Sequence, residues 1–381
     1  MKITDVLTHH LSYDYTEPWA YSQAWYTKRQ TLLVEVRTSD GLTGWGEAFG
    51  PPEVTRAAVQ SVFRPCLIGA EAEQIEPLWE RLYAMSRAYG QKGAVIAALS
   101  AVDIALWDLL GKRTGLPVHV LLGGCFRESI PVYATGMYYR PVPELPRLIE
   151  LLVEEAQTFV SRGFSAVKMK IGGRPWNEDR EILRAIRAAV GAEVGLMVDA
   201  NCAYDARTAI RIGRELEAHN VLWFEEPVPP EDLEGYLEVK RALDLAIAGG
   251  ELEFTRYGLR ELIARRAVDI VQPELTAVGG LTAGKQVAVL ATTFGLRCLP
   301  HMFGSVVAQA AALHLAAALP EIPFSLRPSE VIFEVVRLED RLRDDLAIEP
   351  IPIEGGRIRV PKAPGLGVTL DPKKLDRYRV S

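Results

Sequence analysis

A chain of 381 residues that is 49% hydrophobic and 24% charged, with a formal net charge of −6, has an ordinary globular composition and length for one large domain or two. Its mild acidic excess argues against a nucleic-acid binder, which would show a basic stripe. No signal peptide is expected from MKITDVLTHHLSYDY, and no run is expected to reach the roughly 18 apolar residues that span a bilayer. Cys66, Cys125, Cys202 and Cys298 stand far apart with no metal-type pairing, so a reduced, cytoplasmic chain is expected.

The first stretch reads as α+β. ITDVLTHHL and RQTLLVEVRTSDGLTGWGEAF predict strands, the second folding as a hairpin at Asp40-Gly41. Between them LSYDYTEPWAYSQAWY is rich in aromatic and turn residues and reads as a loop. EVTRAAVQSVFRPCLIG and AVIAALSAVDIALWDLLGKRTG predict helices, the latter strongly apolar and stopped by Gly111 and Gly115. From about Ile130 short apolar runs alternate with amphipathic helical stretches. The runs are IPVYATG, AVKMKIG, GLMVDAN, VLWFEEP, LAIAGGE, VDIVQPE, RCLPHM and PFSLR. Continuous hydrophobic strands alternating with helices mean parallel βα units, and eight of them suggest a barrel. Only the eighth lacks a clear following helix. The turn-rich tail after about Ala347 is expected against the N-terminal domain. The boundaries are thus a capping domain over 1–127, a barrel over 128–345 and a returning segment over 346–381.

Acidic and histidine residues recur where the barrel strands end. Asp199 to Glu225 is 26 residues, Glu225 to Glu251 is 26, Glu274 follows after 23 and His301 after 27. Steps of one βα unit place these side chains around the C-terminal mouth, where barrel enzymes keep their chemistry. Any single acid there also serves as a helix N-cap. Three converging carboxylates repel one another, and a divalent cation relieves that. An oxygen-only set points to Mg²⁺, with Mn²⁺ as the alternative. Such an ion chelates a substrate carboxylate and its neighbouring hydroxyl and acts as a Lewis acid. Lys168 and Lys170 alternate with apolar residues on one strand and point into the same mouth. Each is expected to lower the other's pKa, with Lys170 the general base and Lys168 its tuner and a contact for the substrate carboxylate. Glu274 is the expected partner that fixes the tautomer of His301. The set fits removal of a proton next to a carboxylate, through an enediolate.

These residues match a known pattern. The chain resembles the mandelate racemase subgroup of the enolase superfamily over essentially its whole length. Lys168-Met169-Lys170 resembles the K-x-K of the second barrel strand. Asp199 in VDAN, Glu225 in FEEP and Glu251 in GGE match the three Mg²⁺ ligands, and QPELTAVGG and LPHMFGS match the sixth- and seventh-strand signatures. The helix ALSAVDIALWDLLGKRTGLPVHVLLGG resembles the one that closes the cap. The resemblance implies an α/β fold, a modified (β/α)7β barrel with an α+β cap completed by the C-terminal segment. It implies Lys170 and His301 as bases for opposite faces of the α-carbon, Asn201 at the substrate or metal shell, and assembly with copies of itself. Gln272-Pro273-Glu274, where the muconate-lactonizing subgroup carries a lysine, argues against that subgroup.

Two departures stand out. The histidine's usual partner is Asp, and here it is Glu274. Many members carry a Glu on the eighth strand, where PFSLRPSE offers Leu326 and Arg327, with Glu330 further on. Arg327 is a candidate for the substrate carboxylate, a surface salt bridge being the plainer alternative. SYDYTEPWAYSQAWY matches the family's specificity loop, with Tyr15, Trp19 and Tyr26 as candidate substrate contacts, and EAFGPPE fits a second lid. Lys28 and Arg29 are expected in solvent, and Cys202 as an apolar filler. His9, His10, His119, His219 and His314 have no telling acidic partner and read as structural. The first expectation is Mg²⁺-dependent dehydration of an aldonate or aldarate to a 2-keto-3-deoxy acid. The alternatives are a racemase or epimerase of a 2-hydroxy acid or amino-acid derivative, and an inactive ligand-binding homologue.

Overall fold

The computed structural model describes residues 1–322 and 330–380. The cap is a three-stranded antiparallel sheet, β1 (Ile3–Ala20), β2 (Trp25–Thr38) and β3 (Thr43–Ala48), in that order. The Asp40-Gly41 turn forms as the sequence predicts. The Thr38 amide donates to the Leu42 carbonyl and Gly41 takes a φ of 84°, which glycine accepts without strain. The aromatic segment expected as a loop is instead the far end of the β1–β2 hairpin. Asp14 pairs with Lys28, Trp19 with Tyr26 and Ala20 with Trp25, across an irregularity between Asp14 and Trp19. Cross-strand aromatic pairs stabilise such a ribbon, and Pro18, which has no N–H to donate, falls within the irregular stretch.

The helix Ala94–Thr114 packs on this sheet and ends at Gly115, in the left-handed conformation. Gly111 lies inside it rather than stopping it. A Cβ on Gly111 would stand 2.5 Å from the Gly365 Cα, and one on Gly46 of β3 would stand 1.8 Å from the Ala101 carbonyl. Glycine is what lets these backbones approach. By length and composition this helix is apolar enough to cross a membrane, which the sequence reading missed, but 78% of its window is buried inside the protein. It is the core helix of the cap.

The barrel follows in β4 (Ser129–Thr135), β5 (Ala166–Lys170), β6 (Gly195–Asp199), β7 (Val221–Glu225), β8 (Ala246–Gly249), β9 (Ile270–Val271) and β10 (Arg297–Cys298), neighbours in chain order and parallel. Amphipathic helices such as Leu145–Ser161 and Trp176–Val190 turn leucine and isoleucine faces inward. The eighth parallel strand among the described residues is β11 (Phe333–Val336), paired with β4. That corrects the placement of this strand at PFSLR, which lies outside the described residues. The tail first makes a hairpin of β12 (Ile353–Glu354) and β13 (Arg357–Arg359), whose second strand pairs with Ser129–Pro131 of the barrel. Only then does it meet the cap, where the Val118 amide donates to the Gly365 carbonyl and the Val380 amide to the His10 carbonyl.

His314, fully buried on the Val306–Ala317 helix, stacks on His119 with Nδ1 atoms 3.0 Å apart, and its Nε2 lies 3.0 Å from the Leu366 carbonyl. This pair ties a barrel helix to the segment leaving the cap and to the tail. Burial pushes the His314 pKa from 6.5 down to about 3. The folded state therefore binds fewer protons than the unfolded chain across that window, so stability is lost as pH falls below about 6.5. A His314→Gln variant should show a shallower fall in melting temperature between pH 7 and pH 5 than the parent, measured by circular dichroism.

Candidate active site

Strand β5 is buried at every position, and its two lysines project into the barrel mouth. Register sets the ring. Lys170 pairs with Asp199 and Asp199 with Glu225 on successive strands, so the three stand at one level. Glu251, Glu274 and His301 lie just past the ends of β8, β9 and β10, and Glu274 and His301 form a further parallel bridge.

Lys168 is fully buried. Its Nζ bonds Glu225 Oε1, lies 2.8 Å from Glu334 Oε1 and 3.9 Å from Asp199 Oδ2. Lys170 bonds Asp199 Oδ2, and its Nζ lies 5.1 Å from the centre of the Tyr138 ring. The expected mutual lowering of the lysine pKa values is not what this arrangement produces. Burial opposes the charge on each, but Glu225 and Glu334 around Lys168, and Asp199 beside Lys170, outweigh it and hold both above the ordinary lysine value. An opposite charge at contact distance wins over a like charge further off.

Glu334, on β11, is the eighth-strand glutamate that the sequence reading did not find. It is 1% exposed, accepts from Thr135 Oγ1, and reaches the Met302 amide at 3.3 Å. Burial raises its pKa, but Lys168 and His301 pull it down to about 2. The readable signal was VIFEVV, a β-rich run with one acid; PFSLR was taken for the strand in its place. Arg327 lies outside the described residues.

His301 Nδ1 lies 2.7 Å from Glu274 Oε2, and Nε2 faces Glu251 Oε2 at 3.3 Å and Glu334 Oε2 at 3.9 Å. The extra methylene of Glu274 is accommodated because its other oxygen is tied down, accepting from the Thr276 amide at 2.8 Å and hydroxyl at 2.7 Å. Burial disfavours the imidazolium, but Glu251, Glu274 and Glu334 outweigh it and push the pKa to about 10.

A cavity of about 480 Å³ opens between cap and barrel, with Lys168, Asp199, Glu225 and Glu274 set behind its lining. Lys170, His301, Glu251, Asn201 and Glu334 line it, together with Trp19 and Tyr26. Tyr15 does not; it stands behind Trp19, with ring centres 5.6 Å apart. Tyr21, Phe49, Tyr138 and Phe303 complete an aromatic wall that the sequence reading only partly anticipated. The cap tip is fastened to the mouth. Ala20 and Tyr139 exchange backbone bonds, Ser22 Oγ donates to the Ala200 carbonyl at 2.7 Å and Gln23 Nε2 to the Asn201 carbonyl at 2.8 Å. Arg29, expected in solvent, is 8% exposed, pairs with Asp340 at 3.2 Å and lies over the Phe303 ring at 4.6 Å. His9 and His10 do have acidic partners, Glu35 at 2.8 Å and Glu53 at 3.0 Å, but these lie in the cap and not in the cavity. Cys202 lines the cavity beside Asn201, and both hold positive φ in the turn after β6.

Among the described residues no three acidic, histidine or cysteine side chains are already drawn around one point, because the lysines occupy Asp199 and Glu225. Glu225 is further engaged by Trp223 Nε1 at 3.0 Å and Gln272 Nε2 at 2.8 Å. Yet among the described residues Glu226 Oε2 and Asn201 Oδ1 are buried with no hydrogen-bond partner, and Glu251 Oε2 faces only the His301 imidazole, at 3.3 Å. Burial and then the neighbouring carboxylates raise Glu226 well above its ordinary range, and burial with Asp199 and Glu225 takes Glu251 to about 7 despite His301. Crowded, unpartnered carboxylate oxygens at the edge of a cavity fit a divalent cation.

Fold and site together define a barrel enzyme of the enolase type. Residues 3–123 match the mandelate racemase/muconate lactonizing enzyme N-terminal domain and residues 151–374 the enolase C-terminal domain-like family, and the chain belongs to this family. It is 38% identical to D-galactarolactone cycloisomerase of Agrobacterium fabrum, over 100% of this chain and 99% of that one. It is 34% identical to arabinonate dehydratase of Saccharolobus solfataricus, over 99% of each. Among solved structures, an L-talarate/galactarate dehydratase liganded with Mg and L-glucarate superposes with a TM-score of 0.88 at 29% identity, over 100% of this chain and 92% of that one. Mg²⁺ is the family's ion.

Removing one member of a buried ion cluster strands the others, at a cost of about 3–5 kcal/mol. Lys168→Met, which leaves Glu225 and Glu334 unneutralised, is expected to lose that much in urea unfolding followed by fluorescence in EDTA.

Proposed function

We infer that the protein removes the proton α to the carboxylate of an acid sugar, with Mg²⁺, and expels the β-hydroxyl as water to give a 2-keto-3-deoxy acid. The observation that supports this best is the Glu274–His301 pair, whose Nε2 edge opens on the same cavity as Lys170. Asp199, Glu225 and Glu251 would hold the ion, with the orphaned Glu226 and Asn201 oxygens beside them. When bound it binds the substrate carboxylate as a Lewis acid and eases the build-up of charge there.

The remaining work falls to the chain's own side chains. Lys170 accepts the C2 proton once it has left the Asp199 carboxylate that now holds it and has lost its own proton to solvent. The C2–H pair becomes the C2–C3 double bond as the C3–O bond breaks. His301, held as the imidazolium by Glu274, gives its Nε2 proton to the departing oxygen, and water leaves. The enol then tautomerises. Lys168, locked by Glu225 and Glu334, supplies a fixed positive charge beside the carboxylate. The aromatic wall excludes water, and Trp19 and Tyr26 flank the sugar. The four free cysteines support a cytoplasmic setting.

A second reading is favoured by that wall. Flat rings suit the C–H face of a cyclic substrate, and the relative from Agrobacterium fabrum is a cycloisomerase. The same proton removal with a ring oxygen as leaving group gives an isomer of unchanged mass.

Incubation with Mg²⁺ and an acid-sugar library, read by a 2-keto-acid assay and mass spectrometry, separates the readings. Dehydration gives a 2-keto acid lighter by one water, and ring opening one of the same mass. Exchange of the C2 proton with D₂O without any 2-keto acid would replace both readings by a racemase. Lys170→Ala should lower C2 exchange by about 100- to 10,000-fold, the span of a general base. Full exchange in that variant would remove Lys170 from its role.

A further inference from the structure

The Glu274–His301 pair is held from outside the barrel. Glu47 sits at the end of β3 in the cap and is 2% exposed. It accepts from Thr31 Oγ1 within its own sheet at 2.7 Å. Its other contacts all cross into the barrel. The Ser305 amide donates to its two oxygens at 2.9 and 3.0 Å, the Ser305 hydroxyl at 2.5 Å, and the Ala308 amide at 3.1 Å. Ser305 is the N-cap of the Val306–Ala317 helix and ends the short segment that begins with His301. Two residues beyond Glu47, the Phe49 amide donates to the Thr276 carbonyl at 3.0 Å. Thr276 in turn anchors Glu274 Oε1 through its amide and hydroxyl. One cap strand end thus grips both loops that carry the pair, the His301 loop by a side chain and the Glu274 loop by the backbone.

We propose that Glu47 is a positioning residue for His301, and that the Glu274–His301 pair is brought into register only by the seated cap. A carboxylate suits the task. It accepts from several donors at once, and a negative group is favoured at a helix N-terminus. A glutamine in its place turns an NH₂ group towards amide N–H groups that need an acceptor. Among the described residues the His301–Ser305 segment has no other side-chain anchor of comparable number, since Glu274 and Glu334 reach its amides only at 3.3 to 3.4 Å. The catalytic meaning of the inference rests on the proposed function, but the geometry it asserts does not.

The test is therefore spectroscopic first. In ¹⁵N-histidine-labelled protein, assigned by His301→Asn, the parent should show a downfield His301 Nδ1–H signal from its bond to Glu274. Glu47→Gln should shift that signal upfield or broaden it away, leaving those of His9 and His314 in place and Mn²⁺ affinity unchanged. Should Glu47→Gln fail to fold, Ser305→Ala and Thr276→Val are expected to perturb the same signal, each through one of the two arms. On whichever acid sugar the library yields, Glu47→Gln should lower kcat about 10- to 100-fold, the scale of an ångström-level misplacement, with KM within a factor of two. An unchanged His301 signal in folded variants, or its absence from the parent, would overturn the proposal. Failure to find any substrate would count against the proposed function alone, because the imidazole signal is read without turnover.

Discussion

The buried ammonium of Lys168 is the charge around which the barrel interior is organised. A cation taken wholly out of water must be paired, or the fold bears a penalty of several kcal/mol. Here the pairing reaches across the barrel. Glu225 comes from β7, Glu334 from β11 and Asp199 from β6, while Lys168 itself stands on β5. One side chain thereby fixes the angular placement of three others, and with them the level at which Lys170, one pleat further on, meets the cavity. Trp223 and Gln272 complete the acceptor shell of Glu225. The cluster is saturated on its inner side and open on its outer side, where, among the described residues, Glu226 and Asn201 keep unpartnered oxygens and Glu251 meets only His301. This polarity, neutralised below and electron-rich above, is what suits the mouth to a cation and a carboxylate ligand.

The second organising fact is that the site belongs to two layers. The barrel supplies the charges and the cap supplies the walls. The long β1–β2 hairpin delivers Trp19 and Tyr26 to the mouth, with Trp19 and Tyr26 stacked at 4.8 Å, and fastens itself to the turn after β6 through Ser22 and Gln23. Arg29 and Glu47 reach from the cap into the seam, the first over the Phe303 ring and the second at the helix that follows His301. The aromatic wall and the Glu274–His301 pair are therefore mechanically joined, because the same cap sheet bears the wall and grips the loops of the pair.

Much of this was legible in the chain. The K-x-K strand, the even spacing of Asp199, Glu225 and Glu251, and the Glu274–His301 pair all follow from the βα period, since a parallel strand delivers its last residue to the same end every time. Less was legible where contacts are not periodic. Glu334 was missed because β11 follows the preceding βα unit at an irregular interval, so the β-rich run VIFEVV with its single acid falls out of step with the repeat. Arg29 looked like a solvated charge because its partner Asp340 is hundreds of residues away. The aromatic stretch looked like a loop because its turn residues are visible locally and its cross-strand partners are not.

The sequence by itself determined the class of fold, the ring of acids and bases and the need for a counter-charge. Alternation, repeat length and residue type are local quantities, and each maps directly onto strand, register and donor chemistry. Only the tertiary structure decided how the charges are shared. It showed that each lysine is paired with a carboxylate from another strand, that Glu334 closes the ring, and that Glu47 grips the His301 loop from the cap. The reason is physical. The state of a buried charge depends on which opposite charges lie within a few ångströms, and that distance is set by folding and not by position along the chain.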